Sequence, residues 1–229
     1  DRVAADIEVA ITHDKSAVRD LVARVRRKVD RDPRDAEVDI SGSGVSQTPS
    51  RIGRRLAAAR LEREISAALT SVGGDRAVRA QVKTVAPAVG SDDLAERYPA
   101  IVVVNRGAFR LTLYKNLKPA KTYSIAVGKA GMDTPVGQYK IENKAENPAW
   151  HVPNSDWAGD LAGKVIPPDD PRNPIEARWM GIYDGAGIHG TEAVDSIGTR
   201  ASHGCIRMRI PDVIELYDQV PVGSPVYIA

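Results

Sequence analysis

The sequence is poor in cysteine, in aromatic side chains and in long apolar runs, and each shortage excludes a class of protein. Its 229 residues contain one Cys, so no disulfide can form within the chain. No run approaches the roughly 18 apolar residues that a membrane-spanning helix requires. The 32 Lys and Arg residues nearly balance the 30 Asp and Glu residues, which argues against a strongly basic nucleic-acid-binding protein.

The few aromatic residues are distributed unevenly along the chain. None of the 11 precedes Tyr98, and all of them follow from there onward. The length is compatible with one large domain or two small ones. We therefore predict two domains, a small accessory domain over residues 1–97 and a second domain over residues 98–229.

The first segment combines helical and strand-like patterns. Asp14 is suited to cap a helix whose apolar positions run from Val18 to Val29. Short alternating stretches over residues 36–40 and 45–48 predict two strands, and residues 56–69 predict a second helix. These patterns predict a small α+β domain.

Basic residues crowd the first helix, at Arg24, Arg26, Arg27, Lys28 and Arg31. Such a run could bind an anionic polymer. However, four Asp residues are interleaved with it, and mixed charges are typical of a solvated helix face. We favour the solvated face and leave the polymer as the alternative.

The second segment predicts a mainly β domain, because short strand patterns recur from residue 101 onward. We expect strands at residues 101–105, 109–114, 123–127 and 138–141. Residues 148–174 are rich in proline and show little regular pattern. Because a loop of this length is often a lid or a binding loop, we expect it to border the functional site.

Reactive side chains are densest between Gly187 and Met208. If residues 202–209 are extended, His203, Cys205 and Arg207 share one face. A nucleophilic Cys needs a nearby base, and both His189 and His203 are candidates. Buried packing of Cys205 and a zinc site with both histidines are weaker alternatives, since polar neighbours surround the thiol and no fourth ligand has a familiar spacing.

The same residues resemble the L,D-transpeptidase catalytic domain of the YkuD family. The matching pieces are IHGT at 188–191, SIG at 196–198, SHGCIRM at 202–208, TPVGQY at 134–139 and NPIEARWMGI at 173–182. The resemblance covers about residues 100–229 and implies a mainly β, sandwich-like fold. Residues 1–97 are similar, more diffusely, to the YoaR-type peptidoglycan-binding domain that precedes many such catalytic domains.

The resemblance also implies a role for each residue of the cluster. Cys205 would be the nucleophile and His189 the general base, oriented by the Gly190 carbonyl. The backbone N–H groups of Gly204 and Cys205 would form the oxyanion hole. The cleft would be lined by Ser202, His203 and Arg207.

The implied reaction is a two-step acyl transfer on peptidoglycan stem peptides that releases D-Ala and gives a 3-3 cross-link. No metal, organic cofactor or nucleic acid is implied, whereas a β-lactam such as a carbapenem is expected to acylate Cys205. We expect an extracytoplasmic protein of the cell wall or periplasm, and a membrane anchor before Asp1 is left open.

Three alternatives remain. An L,D-carboxypeptidase or endopeptidase would use water on the same thioester, and a wall-binding module would have a decayed site. A sortase-like enzyme also orders His, Cys and Arg, but the two-residue step from Cys205 to Arg207 argues against it.

Overall fold

The computed structural model describes residues 10–229 and divides the chain into two compact units. The N-terminal unit consists of the residues up to Ala36 and of Pro49–Gly90, and the C-terminal unit of Glu37–Thr48 and Ser91–Ala229. This division differs from the predicted one because residues 37–48 and 91–97 group with the C-terminal unit. The reason is packing, since a Cβ atom added at Gly42 would lie 2.9 Å from the Cβ of Ala229.

The described residues form four α-helices and 17 β-strands. The helices are α1 (Lys15–Val29), α2 (Ala58–Thr70), α3 (Ser91–Arg97) and α4 (Ile210–Gln219). The strands are β1 (Glu37–Ser41), β2 (Gly44–Thr48), β3 (Gly53–Leu56), β4 (Val82–Val85), β5 (Ala100–Asn105), β6 (Arg110–Lys115), β7 (Lys118–Ser124), β8 (Val127–Gly128), β9 (Gly137–Lys140), β10 (Asn143–Glu146), β11 (Trp150–His151), β12 (Val165–Ile166), β13 (Glu176–Tyr183), β14 (Ala186–Thr191), β15 (Arg200–Ser202), β16 (Ile206–Arg209) and β17 (Pro225–Ile228).

The N-terminal unit packs α1 and α2 together with the antiparallel pair of β3 and β4. The predicted cap is confirmed, because the Asp14 carboxylate accepts hydrogen bonds from the Ser16 and Ala17 N–H groups at 2.7 and 3.3 Å. The hydrophobic cluster of this unit is small. Its buried members are Val22, Leu56 and Leu61.

The C-terminal unit contains two mixed sheets. One has the strand order β7-β6-β5-β17-β9 and the other β10-β13-β14-β16. Within them β17 runs parallel to β5, and β14 runs parallel to β16. Residues of both sheets and of α4 form one cluster of 19 buried residues. The prediction of an α+β domain followed by a mainly β, sandwich-like domain is thus confirmed.

Helix α4 begins where the sequence predicts, with Pro211 in its first turn. Its buried side chains, Val213 and Leu216, join the core of the C-terminal unit. At the other end, the Lys144 ammonium donates hydrogen bonds to the carbonyl groups of Tyr217 and Val220 at 2.6 and 2.9 Å. These bonds satisfy carbonyl groups that a helix end leaves unpaired.

One predicted strand is wrong as a continuous element. Residues 202–209 do not form one extended segment, because β15 pairs with β8 whereas β16 pairs with β14. Residues 203–205 form the turn between the two pairings, and Gly204 has a φ of +113°. A glycine accommodates this left-handed conformation without the strain that a side chain would add. The nucleophile candidate therefore stands at a turn immediately before a strand.

Candidate active site

A cavity of about 990 Å³ in the C-terminal unit brings most of the predicted site residues together. Its lining includes Ser202, His203, Gly204, Cys205, Arg207 and His189. Gly190 does not line the cavity and contacts the site only through His189. Residues of the proline-rich loop line the same cavity, so this loop borders the candidate site as predicted.

Strand pairing explains why one face of the four-stranded sheet carries the polar residues. Trp179 on β13 lies opposite His189 on β14, which lies opposite Arg207 on β16. One residue away, the corresponding row of Met180, Ile188 and Ile206 is buried in the core. Because side chains alternate between the two faces of a sheet, burying the apolar row directs the polar row to the cavity.

His189 is held in one tautomer. Its side chain is buried, and its Nδ1 lies 2.7 Å from the Gly190 carbonyl oxygen. Since that oxygen can only accept, Nδ1 carries the proton and donates it, which leaves Nε2 as the basic atom. Burial lowers the pKa of His189 to about 4, and the charge of Arg207 acts in the same direction. The imidazole is therefore neutral at pH 7.

Trp179 covers the imidazole of His189. Their ring centroids are 6.2 Å apart with an interplanar angle of 29°. The indole N–H donates to the Asn143 side-chain oxygen at 2.9 Å, which fixes the ring. A Cβ atom at Gly187 would lie 2.5 Å from the indole, so only glycine allows this close approach.

Cys205 is half-buried, and its Sγ lies 3.8 Å from the Gly185 carbonyl oxygen. Burial raises the pKa of the Cys205 thiol, whereas a backbone hydrogen bond from Gly187 and the charge of Arg207 oppose that rise. The net direction keeps the thiol protonated at neutral pH. A protonated thiol and a neutral imidazole that line the same cavity fit general-base activation during attack rather than a stored thiolate–imidazolium pair.

Ser202 organises the turn that presents Cys205. It is buried, and its hydroxyl donates to the Cys205 carbonyl oxygen at 2.5 Å while accepting from the Gly204 N–H at 3.2 Å. These two bonds close the turn from both sides. They also occupy the Gly204 N–H, which would have to turn toward a substrate oxygen to serve in an oxyanion hole.

Three aromatic rings continue from the turn into the proline-rich loop. The imidazole of His203 stacks on Trp157 with centroids 4.3 Å apart, and Trp157 stacks on Trp150 at 6.3 Å. His203 Nε2 lies 3.0 Å from the Lys129 ammonium, and burial together with this charge lowers the His203 pKa. The stack gives the cavity an aromatic wall next to the turn that carries Cys205.

Asn173 holds the two ends of the loop together. Its side chain is 3% exposed, and its amide donates to the carbonyl groups of Pro148 and Pro167 at 3.0 and 3.2 Å. Its side-chain oxygen accepts from the Ile175 N–H at 2.9 Å. Between these ends the loop contains β11, β12 and a 3-10 helix at Asp156–Leu161, more regular structure than the sequence predicted.

Sequence reasoning missed the loop residues of the site. All three tryptophans of the chain line the cavity, although the sequence assigned a role to none of them, including Trp179 within the matching piece NPIEARWMGI. Their concentration within residues 150–179 is the sequence feature that could have indicated a role for them in the site. His151, which also lies in the proline-rich loop, is exposed and lines the cavity.

Within residues 10–229, no three His, Cys, Asp or Glu side chains come together as metal ligands would. Over the same residues, no helix has both the length and the apolar character needed to span a membrane.

Two family models match the chain. Residues 99–228 match YkuD, described as the L,D-transpeptidase catalytic domain. Residues 1–78 match a model described as "Putative peptidoglycan binding domain". Both resemblances seen in the motifs are thereby confirmed.

Named relatives carry the same description. A Bacillus subtilis protein, "Putative L,D-transpeptidase YqjB", is 37% identical over 133 residues, which are 56% of this chain and 69% of that protein. "Putative L,D-transpeptidase YkuD" of the same species is 38% identical over 131 residues, 57% of this chain and 66% of that protein. An NMR structure of the catalytic domain of an Enterococcus faecium L,D-transpeptidase is 28% identical, covers 57% of this chain and 96% of that one, and has a TM-score of 0.46. With a family model matching more than half of its length, the chain belongs to the YkuD family of L,D-transpeptidases.

Proposed function

We propose that this enzyme joins peptidoglycan stem peptides by 3-3 cross-links through a thioester on Cys205. The observation that carries the proposal is that Cys205 and His189 line one cavity, with the imidazole held by the Gly190 carbonyl at 2.7 Å. A neutral base with a fixed tautomer is what activation of a protonated thiol requires.

In the first step, Cys205 Sγ attacks the carbonyl carbon that precedes the terminal D-Ala of a donor stem. The thiol proton passes to Nε2 of His189 as the S–C bond forms. The negative oxygen of the tetrahedral intermediate would be stabilised by the N–H groups of Cys205 and Gly204, the latter after it turns away from the Ser202 hydroxyl. When the intermediate collapses, the C–N bond breaks, and His189 returns the proton to the amine of the departing D-Ala.

In the second step, a side-chain amine of an acceptor stem attacks the thioester. Its proton passes to His189, the C–S bond breaks, and the sulfur leaves with that proton. Arg207, which lines the cavity, would hold a substrate carboxylate in its planar fork. Ser202 and His203 would line the donor side.

The same thiol would open a β-lactam ring, because that carbonyl is a strained acyl donor. The wall substrate places the working protein outside the cytoplasm. We further propose that the domain boundary relevant to catalysis lies near Tyr98, with residues 1–97 as an accessory wall-contacting domain.

Incubation with a disaccharide tetrapeptide and mass spectrometry of the products test the proposal. The parent is expected to release D-Ala and to form a cross-linked dimer, whereas Cys205→Ala forms neither. If D-Ala is released without any dimer, even with added amine acceptor, the enzyme is an L,D-carboxypeptidase on the same thioester. Equal release by Cys205→Ala would contradict the nucleophile assignment.

A further inference from the structure

The N-terminal unit carries a strong excess of positive charge that the nearly neutral chain conceals. Its described residues, 10–36 and 49–90, contain 16 Lys and Arg against 8 Asp and Glu. The C-terminal unit has 15 Lys and Arg against 19 Asp and Glu. The nearly neutral net charge of the chain therefore combines a positively charged N-terminal unit with a negatively charged C-terminal unit.

Four arginines of the N-terminal unit face one another in two cross-strand pairs. Two isolated antiparallel bridges pair Arg31 with Arg54 and Arg34 with Arg51. Each pair exchanges two backbone hydrogen bonds, of 2.7 to 3.0 Å. We call these four residues the arginine ribbon. Like charges directly opposite each other on paired strands are destabilising, and the backbone bonds would form with neutral side chains as well.

The acidic residues beside the arginine ribbon do not neutralise it. Asp30 accepts the Leu56 N–H at 2.7 Å and pairs with Arg26, and Asp32 pairs with Arg55. Asp35 accepts the N–H groups of Ala88 and Val89.

The four guanidinium groups consequently stay available. In the described part of the chain, none of them forms an ion pair with a carboxylate, and all four residues are exposed.

Two of the guanidinium groups are already held in place. Arg31 donates to the Ile52 carbonyl oxygen at 3.1 Å, and Arg34 donates to the Pro49 carbonyl oxygen at 3.2 Å. Each bond engages one of five N–H donors and leaves the others for a ligand. A cation that is ordered before binding loses less entropy when the ligand arrives.

The unit has no aromatic residue with which to bind by stacking. Without Trp, Tyr or Phe it lacks the rings that stack on the bases of a single-stranded nucleic acid and that commonly anchor proteins at a membrane interface. Charge is the means of recognition that its exposed arginines offer. Guanidinium groups match phosphate oxygens in a bidentate way. The two pairs lie three residues apart along each segment, so a linear polymer with repeating charges can contact more than one guanidinium.

We propose that the arginine ribbon binds a linear cell-wall polymer that carries repeating phosphodiester groups, and so holds the enzyme at the wall. This inference concerns the N-terminal unit and does not depend on the thioester chemistry proposed for Cys205. Of the basic run at residues 24–31, only Arg31 belongs to the arginine ribbon, and it lies beyond the end of α1 at Val29.

Cosedimentation of the full chain with purified sacculi tests the proposal, before and after hydrofluoric acid removes the phosphodiester-linked polymers. The ribbon variant changes Arg31, Arg34, Arg51 and Arg54 to Gln. The matched control changes Lys15, Arg63, Arg76 and Arg79 to Gln, which removes the same charge from exposed positions elsewhere in the unit.

The parent and the control variant are expected to bind untreated sacculi, and the ribbon variant about tenfold or more weakly, with a flatter salt dependence. Acid treatment should reduce the parent to the level of the ribbon variant, and soluble poly(glycerol phosphate) should displace it. These two arms use the unaltered chain, so they stand even if the ribbon variant fails to fold.

If both variants lost binding to sacculi equally, the net charge of the unit rather than the arginine ribbon would account for the binding. Full binding to treated sacculi would assign recognition to peptidoglycan itself, and equal binding to phosphatidylglycerol vesicles would indicate a membrane surface. Each of these results overturns the proposal. D-Ala release from soluble tetrapeptide should stay unchanged in the ribbon variant, which separates this inference from the catalytic one.

Discussion

The two units of the chain differ in what they bury and in what they expose. The C-terminal unit has a core cluster of 19 buried residues and contains all 11 aromatic side chains. The N-terminal unit has a cluster of three buried residues, no aromatic side chain and a surplus of arginine. Catalytic groups need a packed scaffold that fixes their geometry, whereas binding of a charged polymer needs only an accessible, ordered set of charges.

The catalytic side of this comparison is tested most severely at His189. Replacing His189 by Gln removes the basic nitrogen, and we expect D-Ala release to fall by roughly 10²- to 10⁴-fold. His151→Gln is the matched control, because His151 lines the same cavity but is exposed. A loss of less than threefold is expected there, measured by the same product assay. If both variants lost activity equally, His189 would act no differently from a residue that only lines the cavity, and its role as the base would be contradicted.

The pH dependence tests whether burial sets the chemistry of this unit. With the His189 pKa lowered to about 4, kcat/KM should decline tenfold per pH unit only below about pH 4, where the base becomes protonated. With the Cys205 pKa raised, alkylation by iodoacetamide should accelerate about tenfold per pH unit through the neutral range. A plateau of the alkylation rate between pH 5 and 8 would instead reveal a preformed thiolate.

The difference in core size predicts different responses to truncation. Leu61→Ala and Leu113→Ala each remove a buried leucine, and such changes typically cost about 2 to 5 kcal/mol of unfolding free energy. The N-terminal unit has few buried side chains to offset this loss and should unfold more readily, whereas the larger core of the C-terminal unit should remain folded.

Tryptophan fluorescence and far-UV circular dichroism separate the two responses, because all three tryptophans lie in the C-terminal unit. Leu61→Ala should alter the dichroism transition and leave the fluorescence transition in place, whereas Leu113→Ala should shift both. If Leu61→Ala shifts the fluorescence midpoint as far as Leu113→Ala does, the units do not unfold separately.

A smaller effect on activity is expected at Asn173, whose hydrogen bonds join the two ends of the proline-rich loop. Asn173→Ala leaves two carbonyl groups and one N–H group without their partner, at a cost of about 1 to 3 kcal/mol. We expect KM for the tetrapeptide to rise several-fold, because the loop that lines the cavity is less ordered, with a smaller change in kcat. Asn154→Ala, at an exposed position of the same loop, should leave both constants unchanged.

The sequence predicted the local elements better than their assembly. Short-range patterns predicted the cap at Asp14, the start of α4 next to Pro211 and most of the strands. The structure confirms these elements. The placement of β17 between β5 and β9 could not be predicted, since it rests on contacts between residues far apart in the chain.

The candidate site likewise was predicted in its residues but not in how they are brought together. The motif around Cys205 named the residues that meet in the cavity, but it did not show that Gly204 turns the chain from one sheet to another. Trp157 and Asn173 were missed because their roles depend on how the loop folds over the cavity, which no local pattern records.

The central claim, a thioester on Cys205, is tested most directly by intact-mass spectrometry during turnover of a tetrapeptide donor without acceptor. The account predicts a mass increase equal to the donor minus D-Ala, located on Cys205 by peptide mapping and absent from Cys205→Ala. D-Ala release that proceeds with no adduct at any time, after acid quenching within milliseconds, would contradict it.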